Sequence, residues 1–200
     1  IPWNEKMIAN EFLILNAKGQ EEPVLGRYDA DTGQINLIEK PANPVSGIRP
    51  LNIEQQMALE LLLDDSIKIV TLVGKAGTGK TLLAIAAGLY RIFKDNQFNK
   101  VLISRPVIPF GKDIGYLPGS KEEKLSHWMQ PLHDNMDFIM RAHKFTNYKT
   151  TESLLQSSKI EVEALTYIRG RSLPNQYIII DEAQNLSPQE IKTVVSRAGE

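Results

Sequence analysis

The chain has 200 residues, of which 42% are hydrophobic and 24% charged, with a net charge of −1. It is long enough to bury a substantial core, and its composition is that of an ordinary soluble globular domain. Balanced charge excludes a global basic field, so any nucleic-acid contact has to come from a local patch. With no cysteine, disulfides and thiolate metal sites are excluded, which fits a reducing, cytoplasmic setting. No apolar run is long enough to span a membrane and no signal-peptide pattern opens the chain, so no membrane partner is expected. A start at Ile1 rather than Met reads as a piece of a longer protein.

Taken in order, residues 11–16 (EFLILN), 22–29 (EPVLGRYD) and 33–40 (GQINLIEK) read as short strands, with DADTG at 29–33 as a turn. They predict a small antiparallel meander. The run KPANPVSGIRP carries Pro41, Pro44, Gly47 and Pro50 and reads as a linker. This divides the chain into a meander and linker over 1–47 and a second unit over 48–200. NIEQQMALELLLDD then has apolar residues at helical spacing, with Asn52 as cap. KIVTLVG (68–74) is a β-branched run of the kind buried in a parallel sheet, and GKTLLAIAAGLYRIF (79–93) is a helix. KVLISRP (100–106) is a further strand, and SKEEKLSHWMQ (120–130) a helix opened by a capping box of Ser120 with Glu123. Pro131 starts or kinks another helical piece. IEVEAL (160–165) and QYIIIDEA (176–183) are strands, and SPQEIKTVVSRAG a helix with Ser187 as cap and Pro188 at its first position. Strand–helix alternation predicts an α/β fold with a mainly parallel sheet of about four strands. The text stops in a helix at Glu200, and the fold is expected to continue beyond it.

Gly74, Gly79, Lys80 and Thr81 match the phosphate-loop pattern G-x-x-x-x-G-K-[ST]. Glycines let the backbone curl so that the N–H groups of Gly74, Lys75, Ala76, Gly77, Thr78 and Gly79 can face phosphate oxygens. The helix that follows adds the positive end of its dipole. Lys80 brings a charge to the β- and γ-phosphates, and the Thr81 hydroxyl can ligate magnesium. A strand before the loop and a helix after it make a chance match remote.

YIIIDEAQN sets Asp181 and Glu182 at the tip of a buried strand. Ligands of parallel α/β sheets sit at that edge, where the loop after TLVG also lies. Asp181 can then reach the magnesium held by Thr81, and Glu182 can orient and deprotonate an attacking water. An ordinary polar strand end would be the bland reading of these acids, but the loop one hundred residues upstream weighs against it. Before the loop, Gln55 can donate to and accept from an adenine edge through its amide, with Gln56 as competitor. L-N-x-x-Q, the phosphate loop and D-E-A-Q together resemble superfamily 1 helicases and their relatives, in which the glutamine reads adenine; that resemblance implies ATP.

Several stretches converge further: GKAGTGKTLLA, ISRPVIPFGKDIGYLPGSKEEKLSHWMQPLHDNM, TYIRGRSLPNQYIIIDEAQN and SPQEIKTVVSRAG. They cover most of residues 50–200 and resemble the PhoH-like ATPases; the R-P…G-x-L-P-G and R-G-R blocks are specific to that family. The resemblance implies a RecA-like P-loop ATPase using ATP and Mg2+ and acting on single-stranded RNA. It also implies a homo-oligomer, in the form of a ring, and a PIN ribonuclease domain upstream in the parent chain. No PIN aspartate cluster appears here, so this chain by itself is expected not to cut RNA. The T-G-D sensor strand and later arginine segment of the family are also missing, so ATP binding with poor turnover is expected.

For nucleic acid the candidates are Arg105, Lys112, Arg169 and Arg171, with Phe110 and Tyr116 as stacking faces in the Gly- and Pro-rich loop. Taken singly, each is more readily a solvated side chain or loop anchor; together with the family resemblance they favour a nucleic-acid or γ-phosphate-sensing role. His127, His133 and His143 have poor spacing for a metal, and Trp128 and Met129 read as core. The leading function is an ATP-dependent RNA helicase or translocase motor. Against it stand a small-molecule kinase, disfavoured by Glu182, and a nucleotide-switch or assembly module that hydrolyses poorly.

Overall fold

The computed structural model describes residues 6–16, 23–106, 121–145, 147–168 and 172–198, with the backbone alone at 121–128 and 166–167. Lys112, Arg169 and Arg171, with Phe110, Tyr116 and the Ser120 cap, lie outside the described residues.

The predicted meander forms. Strands β1 (Phe12–Leu15), β2 (Val24–Asp29) and β3 (Gln34–Ile38) pair antiparallel in the order β1-β2-β3. Leu13 and Leu37 flank Gly26, and Phe12 and Asn36 flank Arg27. The turn between β2 and β3 closes through the Asp29 carboxylate, which accepts from the N–H groups of Asp31 and Thr32. Helix α1 (Ile53–Leu62) starts at Asn52, whose side chain accepts from the Gln55 N–H as the sequence predicts. Arg27 ties the meander to α1 and the loop after it, through ion pairs with Glu60 and Asp64. Burial alone would raise the Asp64 carboxyl; hydrogen bonds from Ser66 and Arg27 outweigh it and hold it below its ordinary value.

Between meander and α1, the Pro- and Gly-rich run is a packed turn rather than an open connection. Val45 and Ile48 pair with each other and are buried in the main core. The Ser46 hydroxyl donates to the carbonyl of Ala86 at 2.9 Å.

The larger layer is α/β with a parallel sheet flanked by helices. Its strands are β4 (Lys100–Arg105), β5 (Ile160–Ala164) and β6 (Gln176–Ile180), in the order β5-β4-β6. Val101 is opposite both Ile160 and Tyr177, so all three strands run in step. Central β4 is buried from Val101 through Ser104, as a strand covered on both faces must be. Val101 and Ile103 belong to a core with Leu83, Ile85 and Leu89 of helix α2 (Lys80–Phe93). Leu132, Met136 and Ile139 of helix α3 (Lys121–Ala142) complete it. On the other face Leu102 packs with Leu165 and Ile168 of the short helix α5 (Leu165–Ile168), with Leu173, and with Val194 of helix α6 (Pro188–Val195). Each such side chain contributes about 1.5–3 kcal/mol on burial. Gly88 lets α2 come close to the sheet: a Cβ there would sit 2.9 Å from the Tyr177 ring.

Three expectations need correction, and one helix was missed. The run KIVTLVG belongs to no strand of either sheet; among the described residues none of its backbone groups joins a ladder, and Ile69 and Val73 stay 65% and 92% exposed. Its residue types favour a strand, but strand formation is decided by a hydrogen-bonded neighbour, and none of β4, β5 or β6 takes it. For the same reason the parallel sheet has three strands among the described residues, not about four. Pro131 starts no new helix: α3 runs through it, because fully buried Leu132, Met136 and Ile139 outweigh the roughly 3 kcal/mol cost of a missing helical bond. A further helix, α4 (Thr151–Gln156), was not foreseen; Thr150 and Ser153 form a reciprocal capping box at its start. Among the described residues no helix is long and apolar enough to cross a membrane.

Candidate functional site

The loop between the unpaired run and α2 curls through two left-handed positions, Gly77 at φ 76° and Gly79 at φ 86°. Side-chain-bearing residues disfavour this region, which explains glycine at both. Gly79 caps α2, and its carbonyl accepts the first helical bond from Leu83 at 2.9 Å. The Lys80 ammonium folds back over the loop and donates to the carbonyls of Gly74 and Lys75, both at 2.8 Å. The Thr78 hydroxyl donates to Lys75 O at 2.9 Å, closing the curl. A cation is thus held in the mouth of a turn at a helix N-terminus, an arrangement suited to an anion.

At the end of β6, the Asp181 N–H donates to Ser104 O at 2.9 Å, so the ladder with β4 extends one residue past the strand. This aims the Asp181 carboxylate at α2. The Thr81 hydroxyl donates to Asp181 Oδ1 at 2.8 Å, joining positions one hundred residues apart. Hydroxyl and carboxylate are hard oxygen donors of the kind magnesium takes, with its other positions left for water and phosphate oxygens. Among the described residues no group of three or more acidic or histidine side chains could hold a metal without such help. The residues present therefore fit a magnesium ion shared with a phosphate.

Glu182 is unusual in its backbone. It sits in the left-handed region at φ 53° and ψ 37°, which costs a non-glycine residue about 1–3 kcal/mol. The turn swings its carboxylate back toward the sheet edge, where Gln184 donates to Oε2 at 2.5 Å. Arg105, at the end of β4, faces both acids: its Nε lies 3.8 Å from Asp181 and its Nη2 3.8 Å from Glu182. Neither Gln184 nor this double contact of Arg105 was foreseen; only the D-E-A-Q spelling hinted at the glutamine.

Gln55 stands on the other side of the loop. Its Nε2 donates to Thr78 O at 3.1 Å, and its Oε1 accepts from the Leu51 N–H at 2.8 Å. Gln56 is buried and its amide donates to Glu39 O at 3.3 Å, on the meander side. Of the two glutamines, the geometry brings Gln55 to the loop. Met129 packs against the main core, while the side chains of His127 and Trp128 lie outside the described residues.

The loop, Thr81, Asp181, Glu182, Arg105 and Gln55 thus converge on one edge, where they can hold a nucleotide's phosphates and a metal. Residues 47–200 match the family model for PhoH-like proteins. Protein PhoH2 of Bacillus subtilis is 58% identical over 192 residues, covering 96% of this chain and 43% of that protein. Protein PhoH2 of Mycolicibacterium smegmatis is 39% identical over 88% of this chain and 40% of its own length. A PhoH-like protein of Mycobacterium leprae is 33% identical over 99% of this chain and 52% of its own. The chain therefore spans about half or less of these relatives. With a family match over more than half its length and a phosphate loop at its centre, the chain belongs to the PhoH-like family of P-loop ATPases.

Proposed function

We propose that this chain is the ATP-binding and ATP-hydrolysing part of a motor that acts on single-stranded RNA as a helicase or translocase. The observation that carries the nucleotide half is the 2.8 Å contact between Thr81 and Asp181, which joins the phosphate loop to the acidic strand end. In this reading Gly74, Lys75, Ala76, Gly77, Thr78, Gly79, Lys80 and Thr81 cradle the phosphates. Gln55 reads the adenine after leaving Thr78 O. Thr81 and Asp181 hold Mg2+, which when bound neutralises phosphate charge. Lys80 stabilises the transferring phosphoryl group, and Glu182 takes the proton of the attacking water. Support for RNA, for a ring-shaped homo-oligomer, for an upstream PIN domain and for a cytoplasmic setting comes from the family resemblance. The family match beginning at residue 47 supports reading 1–47 and 48–200 as separate units.

Titration calorimetry with ATP and magnesium tests the first half. The wild type gives saturable heat, and Lys80→Ala weakens affinity about tenfold or more by removing a charge-assisted contact. No heat from a folded wild-type sample sinks the reading. Single-stranded RNA should raise ATP turnover by the full-length parent; unchanged turnover removes the motor and leaves a nucleotide-binding module.

A further inference from the structure

We propose that Arg105 is a resting counter-ion for the Asp181–Glu182 pair, displaced by the metal, and that it sets how strongly magnesium tightens nucleotide binding. This deepens the nucleotide reading above and rests on it.

The sequence offered Arg105 as a nucleic-acid contact; in the structure its guanidinium lies beside both acids. It is 20% exposed and lies 3.8 Å from each carboxylate, whose side chains are 15% and 39% exposed. The two acids are adjacent in sequence, and one cation lies within ion-pair distance of both. Arg105 supplies it from the neighbouring strand, where the register of β4 against β6 fixes its position. At 3.8 Å these are charge pairs, too long for hydrogen bonds and not a bidentate fork. A loose pair of this kind yields to a stronger competitor.

That competitor is a divalent ion at the Thr81–Asp181 oxygens. The Thr81 oxygen keeps lone pairs while its proton is donated, so an ion bound there leaves that hydrogen bond in place and competes with Arg105 for the Asp181 carboxylate. The guanidinium opposes the ion twice, by competing for Asp181 and by like-charge repulsion. Released from Asp181, it remains beside Glu182, whose other oxygen is held by Gln184. Arg105 is thus a positioning residue: it steadies the acids in the empty site and moderates the metal's grip in the filled one.

The test compares nucleotide affinity in magnesium with affinity in EDTA, using a fluorescent ATP analogue on the intact chain. The readout is the ratio of the two dissociation constants, with melting curves checking the fold of each variant. Arg105→Gln should raise the gain from magnesium about fivefold, the size of a modest ion pair. Arg105→Lys keeps the charge and should stay within about twofold of wild type, because the contact uses no fork. An unchanged or smaller gain in Arg105→Gln, with the wild type binding normally, overturns the counter-ion role and leaves the nucleotide site intact. Failure of the wild type to bind nucleotide in either buffer overturns both.

Discussion

Val101–Ile103 of β4 and Ile69–Val73 ahead of the phosphate loop are made of nearly the same residues, yet their fates are opposite. The first three are completely buried, whereas Ile69 and Val73 are largely exposed. β4 has a parallel neighbour on each side and a helical layer on each face. The run before the loop has β-branched residues and, among the described residues, no ladder. Residue type gives a segment the capacity to be a strand; a partner converts that capacity into stability. The chemistry of the loop does not wait on such a partner. Its shape is set locally by two left-handed glycines, by the Thr78 hydroxyl on Lys75 O and by Lys80 on its own carbonyls. The Thr81–Asp181 hydrogen bond then ties the end of the loop to the sheet edge.

The largest test of this contrast is amide hydrogen exchange. The amides of 101–104 should exchange about a thousandfold or more slower than those of 69–73, since the former open only with much of the global stability. Comparable protection in both would mean that the unpaired run acquires a ladder in solution.

Denaturant unfolding sharpens the same contrast energetically. Ile103→Ala should cost about 2–5 kcal/mol, combining lost burial with the cavity left behind. Val73→Ala should change stability by no more than about 0.5 kcal/mol. A large loss at Val73 would refute its exposure.

The smallest effect concerns the site itself. Glu182→Gly should raise unfolding free energy by up to about 1 kcal/mol, because glycine accepts the left-handed backbone that glutamate resists. ATP turnover should fall in the same variant. A loss of stability would show that the contacts with Gln184 and Arg105 outweigh the backbone conformation.

Much of the architecture was legible in the chain. The meander, α1 with its Asn52 cap, α2, β4, β5, β6 and α6 with its Ser187 cap all form where alternation, periodicity and capping residues place them. Local signals of that kind act over a few residues and survive without knowledge of the rest. The α3 helix through Pro131 and the unpaired run at 68–74 were not legible, since both are settled by contacts far away in sequence.

What the sequence by itself determined is the phosphate loop, because glycine, lysine and threonine at fixed spacing impose the curl and its charge within eight residues. Which glutamine reaches that loop, where Arg105 points, and that Thr81 touches Asp181 were decided only in three dimensions. Those pairings depend on how the helices pack on the sheet and on the β4–β6 register, which bring residues distant in sequence within hydrogen-bond or ion-pair distance.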